Sequence, residues 1–325
     1  MRPVISIFST VFNNVNIIEK SLNSVIDKFP DFNEKFELVI VDNYSTDGTY
    51  EKLLELQKKH KNIKIIREKC SRGKGRAIGF SNTTGKYVIS IDCDTIYLKP
   101  FKNLVYSYDK VKDMEIYPCF FMKRKTMEFI GNFKDLNYDE DMELTARAIS
   151  KGVKVYSIPC IMTHNQISKG REKRYAKGFG YYLRQYKNFS DSIAGGGLNL
   201  TDYIQRYGRY GKSKVFLLYL ILRLRKLRIF RYSKQYNNRQ LVYFYSNILN
   251  PSKFKIDRKY WAGYIYPYGK TTEMIIKTVN DFISIGLNKS IILQSKGKYL
   301  LLMYRKETDK KLIEREARFF EANVK

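Results

Sequence analysis

Between Pro3 and Ile91, apolar β-branched runs alternate with stretches of helical period, and few folds accommodate that pattern. Pro3 to Phe12 is rich in Val, Ile and Phe and predicts a strand, broken by Asn13-Asn14. Ile17 to Phe29 carries apolar residues at 18, 22, 25, 26 and 29, the stripe of a helix lying on a sheet. Phe36 to Val41 predicts a second buried strand, and Thr46 or Asp47 can cap a helix over Tyr50 to His60. Ile63 to Arg67 is the third strand. Gly73-Lys74-Gly75 precedes a helix through Ala77, Ile78 and Phe80, which Thr83-Thr84-Gly85 ends. Tyr87 to Ile91 is the fourth strand. This alternation predicts the α/β class: a doubly wound, mostly parallel sheet flanked by helices. Ligands of such sheets sit at the carboxyl ends of the strands, near a switch in strand order. The loops after Val41, Arg67 and Ile91 are charged or Gly-rich, so they are expected to converge on one crevice.

The fourth strand ends in two carboxylates one residue apart, Asp92 and Asp94. A buried strand that delivers two acids to its end is costly unless the charge is compensated. Either the acids cap the strand in a solvated loop, or a divalent cation holds them, since Mg²⁺-like ions take oxygen ligands and leave positions open for phosphates.

Further along, Met114 to Met122 predicts one or two strands. Tyr138-Asp139-Glu140-Asp141 leads into a helix from Met142 to Ser150, closed by Gly152, and Val153 to Ile158 predicts a strand ahead of Pro159 and His164. The acidic first turn suits the helix dipole. Gly195-Gly196-Gly197 predicts a linker, Ile291 to Gln294 with Tyr299 to Tyr304 a hairpin, and Glu307 to Asn323 a charged helix. The expected organisation is a catalytic domain over 1–190, a basic helical segment over 191–240 and a small α+β region over 241–325.

The net charge of +28, from 60 basic and 32 acidic residues, favours a polyanionic partner: nucleic acid, an anionic membrane or phosphorylated substrates. Between Arg206 and Gln240 there are many basic residues and no acid, around the apolar run Val215 to Leu222. That run is too short to span a bilayer. It either lies in a membrane interface, with Leu217, Leu220, Ile221, Leu224 and Leu227 on one face, or packs on the catalytic domain. Cys70, Cys93, Cys119 and Cys160 form no CxxC and are expected to be free thiols in a reducing compartment. The sequence opens directly on a strand, without a signal peptide. The expected location is cytoplasmic, peripheral on the inner face of the cell membrane.

Several segments, in order, resemble those of family 2 glycosyltransferases. Ser9-Thr10-Val11-Phe12-Asn13 is close to the family's Pro-Thr-Tyr-Asn-like start. Val41-Asp42-Asn43-Tyr44-Ser45-Thr46-Asp47-Gly48-Thr49 resembles V-D-D-x-S-x-D-x-T, with Asn43 where a second Asp is frequent. Arg72-Gly73-Lys74-Gly75-Arg76-Ala77 resembles N-x-G-x-x-x-A, with Arg at the Asn position. Asp92-Cys93-Asp94 resembles D-x-D. Gly131-Asn132-Phe133, then Glu140-Asp141-Met142-Glu143-Leu144 and Arg147, resembles G-G-F…E-D-x-x-L-x-x-R. The resemblance covers about the first half of the chain. It implies a GT-A fold and an inverting, metal-dependent transfer of a sugar from a nucleotide-diphosphate donor to a glycan or lipid-linked acceptor.

By that resemblance, Thr10, Asn13, Asp42, Arg72, Lys74, Asp92 and Arg174 are candidates for binding the nucleotide sugar. Asp94 and His164 are candidates for Mn²⁺ or Mg²⁺, and Asp141 is the general base with Glu140 as its alternative. The chemistry is consistent. A cation neutralises a diphosphate leaving group, and inversion needs a base on the acceptor hydroxyl, opposite that group. Asp42 either accepts from the ring N–H of uracil or guanine, or bonds its own turn. Glu140 and Asp141 are adjacent at a helix start and cannot both face the crevice. Arg147 either serves the site or pairs with an acid. Arg171 and Arg174 either clamp phosphates or lie in a solvated loop.

Two other classes compete. A nucleic-acid binder accounts for the charge and the 27 Tyr but leaves the paired acids without work, and no nucleic-acid module matches, so no nucleic acid is expected. A sugar-phosphate nucleotidyltransferase would want a Gly-rich, Arg-containing loop after the first strand, where this chain has Thr10-Val11-Phe12-Asn13-Asn14.

Overall fold

The computed structural model describes residues 3–97, 99–111, 114–117, 119–157 and 163–165, isolated positions between 180 and 204, and residues 212–225, 264–267, 291–296 and 299–304. Its centre is a five-stranded sheet in the order β3-β2-β1-β4-β7. Here β1 is Ile5–Val11, β2 Phe36–Asp42, β3 Ile63–Arg67, β4 Tyr87–Ser90 and β7 Met122–Lys123. The first four run parallel, and β7 pairs antiparallel with β4. Helices α1 (Ile18–Ile26), α3 (Thr49–Lys59) and α4 (Arg72–Ser81) lie in the crossovers between successive parallel strands. The chain builds outward from β1 to β3 and then returns to place β4 on the other side of β1. The switch point therefore lies between β1 and β4.

The strands are nearly uniformly apolar because both faces are covered. Period-two alternation sends Ile5, Ile7, Leu38, Ile40, Ile89 and Ile91 into one core, shared with α1, α3 and α5 (Lys99–Tyr106). It sends Phe8, Val39 and Val88 into a second core with Phe80 of α4, Met127 and Ile130 of α6 (Arg124–Ile130), and Leu144 and Ala148 of α7 (Glu140–Ser150). The mostly parallel α/β sheet expected from the sequence is the one observed.

The elements differ from the expectation in three places. A short helix, α2 (Phe32–Lys35), precedes β2 and buries Phe32. The segment 114–122 splits between sheets. β6 (Met114–Tyr117) pairs parallel with β8 (Lys154–Ser157), whereas β7 joins the central sheet. The third difference bears on the site. Gly73 and Gly75 do not precede α4 but lie inside it. The helix starts at Arg72, and the Ser71 hydroxyl caps it by accepting from the Lys74 N–H at 3.0 Å. A β-carbon on Gly75 would lie 2.4 Å from Thr10 Oγ1, and one on Gly73 would meet the Lys134 carbonyl. Only glycine lets the first turn of α4 pack this closely against the end of β1 and the 134–136 loop.

A short pair, β5 (Thr95–Tyr97) with β9 (Thr163–Asn165), follows the Asp92–Asp94 turn. The helix α8 covers Lys212–Arg225. The expected hairpin is present as β11 (Ile291–Lys296) and β12 (Tyr299–Tyr304), with β10 (Tyr264–Pro267) on the other edge of β12. Arg171, Arg174, the 195–197 linker and the 307–323 helix lie outside the described residues.

Candidate active site

A cavity of about 580 Å³ opens at the carboxyl ends of β1 and β4, at the switch point. The end of β1 supplies Thr10, Val11 and Phe12. The turn after β4 supplies Asp92, Cys93 and Asp94. From α4 come Arg72 and Arg76, and from the start of α7 Glu140 and Asp141. Asn14, Asn43 and Asn137 add amides, and Gly180, Arg184, Lys187 and Asn188 close the remaining wall.

The Asp92–Asp94 turn is held from several sides. The Asp92 N–H donates to the Tyr97 hydroxyl at 2.8 Å, and the Asn14 side-chain amide donates to the Cys93 carbonyl at 2.7 Å. The Ser9 hydroxyl donates to the Ile91 carbonyl at 2.6 Å, and that of Ser21 to the Thr95 carbonyl at 2.7 Å. Backbone fixed in this way presents two carboxylates in set directions. Asp92 is exposed, with Oδ1 2.8 Å from Arg76 Nη2. Asp94 is half-buried in the cavity wall.

At the end of β2, Asp42 is fully buried. Its Oδ2 accepts from the Ser45 N–H at 3.0 Å and lies 3.5 Å from Arg67 Nε. Its Oδ1 is buried with no hydrogen-bond partner among the described residues. Asp42 thus bonds its own turn and retains one unmatched acceptor. The Arg67 guanidinium is packed between Tyr44 and Tyr50, 5.0 and 4.2 Å from their ring centres.

The remaining candidates fall in different places. Thr10 lines the cavity and donates to the Val41 carbonyl. Asn13 adopts a left-handed conformation (φ 46°), and its side chain accepts from the Thr46 N–H at 2.9 Å, so it braces the 45–46 loop beside the cavity. Lys74 stands off the cavity wall, with Nζ 3.6 Å from Glu68. His164 is on β9, opposite Ile96, and its side chain lies outside the described residues.

Contrary to expectation, both adjacent acids of α7 line the cavity, and what separates them is burial. Asp141 is half-buried, and one of its carboxylate oxygens accepts from the Met142 N–H at 2.8 Å. Glu140 is 1% exposed, and its Oε1 lies 3.1 Å from Arg76 Nη1 and 3.7 Å from Arg72 Nη1. Burial raises the Glu140 pKa, and the two guanidinium groups only partly oppose that. Burial disfavours the charge on Arg76, but Glu140, Asp92 and Asp141 outweigh it and hold its pKa above the ordinary value.

Arg147 pairs with an acid. It meets both oxygens of Glu143, at 2.8 and 2.7 Å, and donates to the carbonyls of Ile130, Gly131 and Asn132. It fastens the end of α6 to α7.

Arg76 escaped the sequence reading. Its signal is the four-residue spacing from Arg72, which places both on one face of a helix, provided the helix is taken to start after Ser71. Of the asparagines in the cavity wall, Asn14 read as a strand breaker, Asn43 as a departure from a motif that often has Asp there, and Asn137 and Asn188 carried no signal.

A family model described as Glycosyl transferase family 2 matches residues 6–168. An uncharacterized glycosyltransferase of Haemophilus influenzae is 32% identical over 96 residues, which is 29% of this chain and 29% of that protein. Less than a third of that relative's length is therefore spanned. Among solved structures, mannosyltransferase PcManGT from Pyrobaculum calidifontis, in complex with GDP-Man and Mn²⁺, matches with a TM-score of 0.43 and 16% identity over 72% of this chain and 74% of that one. S. aureus TarS 1–349 in complex with UDP-GlcNAc matches with a TM-score of 0.44 and 15% identity over 95% of this chain and 98% of that one.

Proposed function

The chain belongs to glycosyl transferase family 2, and from that premise we propose that it moves a sugar from a nucleotide-diphosphate donor to a hydroxyl of a glycan or lipid-linked acceptor, with inversion. The observation that carries this is the cavity itself, whose wall brings Asp92 and Asp94 together with Asp141 at the switch point of the sheet.

In this proposal Asp141 accepts the proton of the acceptor hydroxyl. The hydroxyl oxygen forms its bond to the anomeric carbon as the bond from that carbon to the diphosphate breaks. Asp141 suits the role because it faces the cavity and is half-buried, whereas Glu140 is committed to two guanidinium groups. Asp42 is assigned to the base of the nucleotide; it is fully buried behind the cavity wall, so its unmatched Oδ1 meets the base only once the 43–46 turn shifts. Arg72 supplies positive charge beside the phosphates.

The donor set fits a divalent cation. Asp94 offers a hard oxygen ligand at the cavity wall, with Asp92 beside it. Among the described residues no group of three or more His, Cys, Asp or Glu side chains could hold a metal. Asp94, with Asp92 beside it, would hold such an ion, and Mg²⁺-like ions leave positions open for phosphates. When bound, it supplies charge neutralisation for the leaving diphosphate.

We also propose attachment to an anionic membrane surface, at the cytoplasmic face. α8 buries Val215 and Tyr219 and leaves Phe216, Leu217, Leu220 and Ile221 exposed. That exposed face supports interfacial seating over complete burial of the helix, and the flanking Lys and Arg suit lipid phosphates. No helix among the described residues is long and apolar enough to cross a membrane.

The test is a donor screen. The protein is incubated with Mn²⁺ or Mg²⁺ and a panel of nucleotide sugars, and both donor binding and nucleoside diphosphate release are followed. Binding and release with at least one donor are expected. Failure of every donor to bind or react would overturn the proposal.

A further inference from the structure

Arg76 is a buried cation with two acidic neighbours that belong to different elements of the cavity. Nη2 donates to Asp92 Oδ1 at 2.8 Å, after β4, and Nη1 lies 3.1 Å from Glu140 Oε1, in the first turn of α7, an ion pair in which Nη1 has no hydrogen-bond partner among the described residues. The guanidinium also faces the rings of Phe120 and Phe133, 5.8 and 5.5 Å from their centres. With Arg76 only 7% exposed, the rings and the helix body leave the group little freedom to move. The close packing of α4 on β1 at Gly75 sets its position relative to the sheet.

We propose that Arg76 is a positioning residue for sugar transfer. By fixing Glu140 against Asp92, it holds the first turn of α7, and with it Asp141, at a set distance from the Asp92–Asp94 turn. The inference rests on the proposed role of the cavity as the transfer site. Arg76 also lines the cavity and meets Asp92, and the role inferred for it runs through Glu140. Glu140 is buried, and its Oε2 has no hydrogen-bond partner among the described residues. Without Arg76, a carboxylate in that setting either takes up a proton or leaves its place. Either response moves the neighbouring residue, Asp141, and a displacement of about 1 Å in a reacting group costs on the order of a hundredfold in rate.

The experiment compares Arg76→Met, Arg76→Lys, Glu140→Gln and the double variant Arg76→Met with Glu140→Gln. For each, kcat, acceptor KM, nucleoside diphosphate Kd and the pH profile of kcat are measured. Arg76→Met is expected to lower kcat about a hundredfold while the nucleoside diphosphate Kd moves by less than about threefold. The acid limb of its kcat profile should move to higher pH, because an uncompensated Glu140 holds its proton longer. Arg76→Lys should recover about a tenfold share of the loss by keeping the charge. In the double variant the two losses should not multiply, because both act on one contact. An unchanged kcat in Arg76→Met, multiplying losses, or a Kd that rises in step with the fall in kcat would each overturn the inference. Should Arg76→Met fail to fold, the double variant decides, since it removes the uncompensated charge. A kcat equal to that of Glu140→Gln supports the inference, and one far below it overturns it. Failure of the unmodified protein to bind any donor would instead count against the function proposed for the cavity.

Discussion

The crevice and α8 reverse the usual partition of side chains in opposite ways. In and behind the crevice wall, charge is inside: Arg76 and Glu140 line it, Asp42, Glu143 and Arg147 lie behind it, and all are buried. On α8, apolar surface is outside: Phe216, Leu217, Leu220 and Ile221 are exposed while Val215 and Tyr219 are covered. Buried charges and clustered exposed apolar groups are the informative exceptions in a folded chain. In the crevice most of the charge is compensated within the chain, by the Arg76, Arg147 and Arg67 pairs. What distinguishes it is specific: single buried atoms of Asp42, Arg76 and Glu140 without a hydrogen-bond partner among the described residues, and the carboxylates of Asp94 and Asp141 on the cavity wall. The described side chains of α8 instead expose an area of apolar surface. The first pattern suits a ligand with matching polar atoms, and the second a partner without directional demands, such as a lipid surface.

The contrast breaks most easily at Asp141. Asp141→Asn keeps the shape and removes the base, so transfer should fall about a thousandfold while donor affinity stays near its original value. Unchanged transfer, measured as nucleoside diphosphate release with acceptor present, would move the base elsewhere in the cavity.

Not every buried charge in this region serves the site, and Arg147 tests that distinction. Arg147→Ala leaves Glu143 buried without its partner and frees the carbonyls of the 130–132 segment. A loss of roughly 3 kcal/mol or more in urea unfolding is expected. A variant of full stability that has lost donor binding would make Arg147 part of the site.

Asp94→Ala should weaken cation-dependent donor binding about a hundredfold by removing a hard ligand, while binding without cation is barely affected. Calorimetry with and without Mn²⁺ separates the two. A cation response that survives the substitution would remove Asp94 from the metal site.

On α8, the double substitution Leu217→Glu and Ile221→Glu places two acids on the exposed face. Loss of most flotation with vesicles containing anionic lipid is expected, with unfolding free energy unchanged within about 0.5 kcal/mol. Vesicles without anionic lipid should bind the unmodified protein weakly. Equal flotation of the two proteins would assign the apolar face to something other than lipid.

How much of this was legible in the sequence follows from the range of each interaction. The strands of the sheet could be read because burial on both faces makes them continuous apolar runs. The acids of the crevice could be read because they stand at strand and helix ends, where residue type has few alternatives. Arg76 could not be read in the same way. Its place depends on where α4 begins, which the Ser71 cap fixes, whereas the glycines at 73 and 75 read as a loop ahead of the helix until their close packing on Thr10 and Lys134 is seen. Burial likewise separated Glu140 from Asp141. Both acids suit the first turn of a helix, and only the packing of Arg76 and Arg72 turns one of them inward.

Cys93 gives the smallest expected effect and tests how closed the crevice floor is. It lies between the two acids of the turn, 4% exposed, and its thiol is 3.2 Å from the Ser9 hydroxyl. Burial pushes its pKa up to about 12. A raised thiol pKa means the reactive thiolate is scarce at neutral pH, and it stays scarce until the pH nears that value. Between about pH 7 and 9, iodoacetamide should therefore leave Cys93 unmodified in the folded protein and label it in urea. Mass spectrometry of the labelled peptides checks this. Labelling of folded Cys93 at the rate of a free thiol would mean that the turn opens to solvent. Asp92 and Asp94 would then lose the fixed backbone that aims them, and the crevice would come to resemble α8, a surface without directional demands.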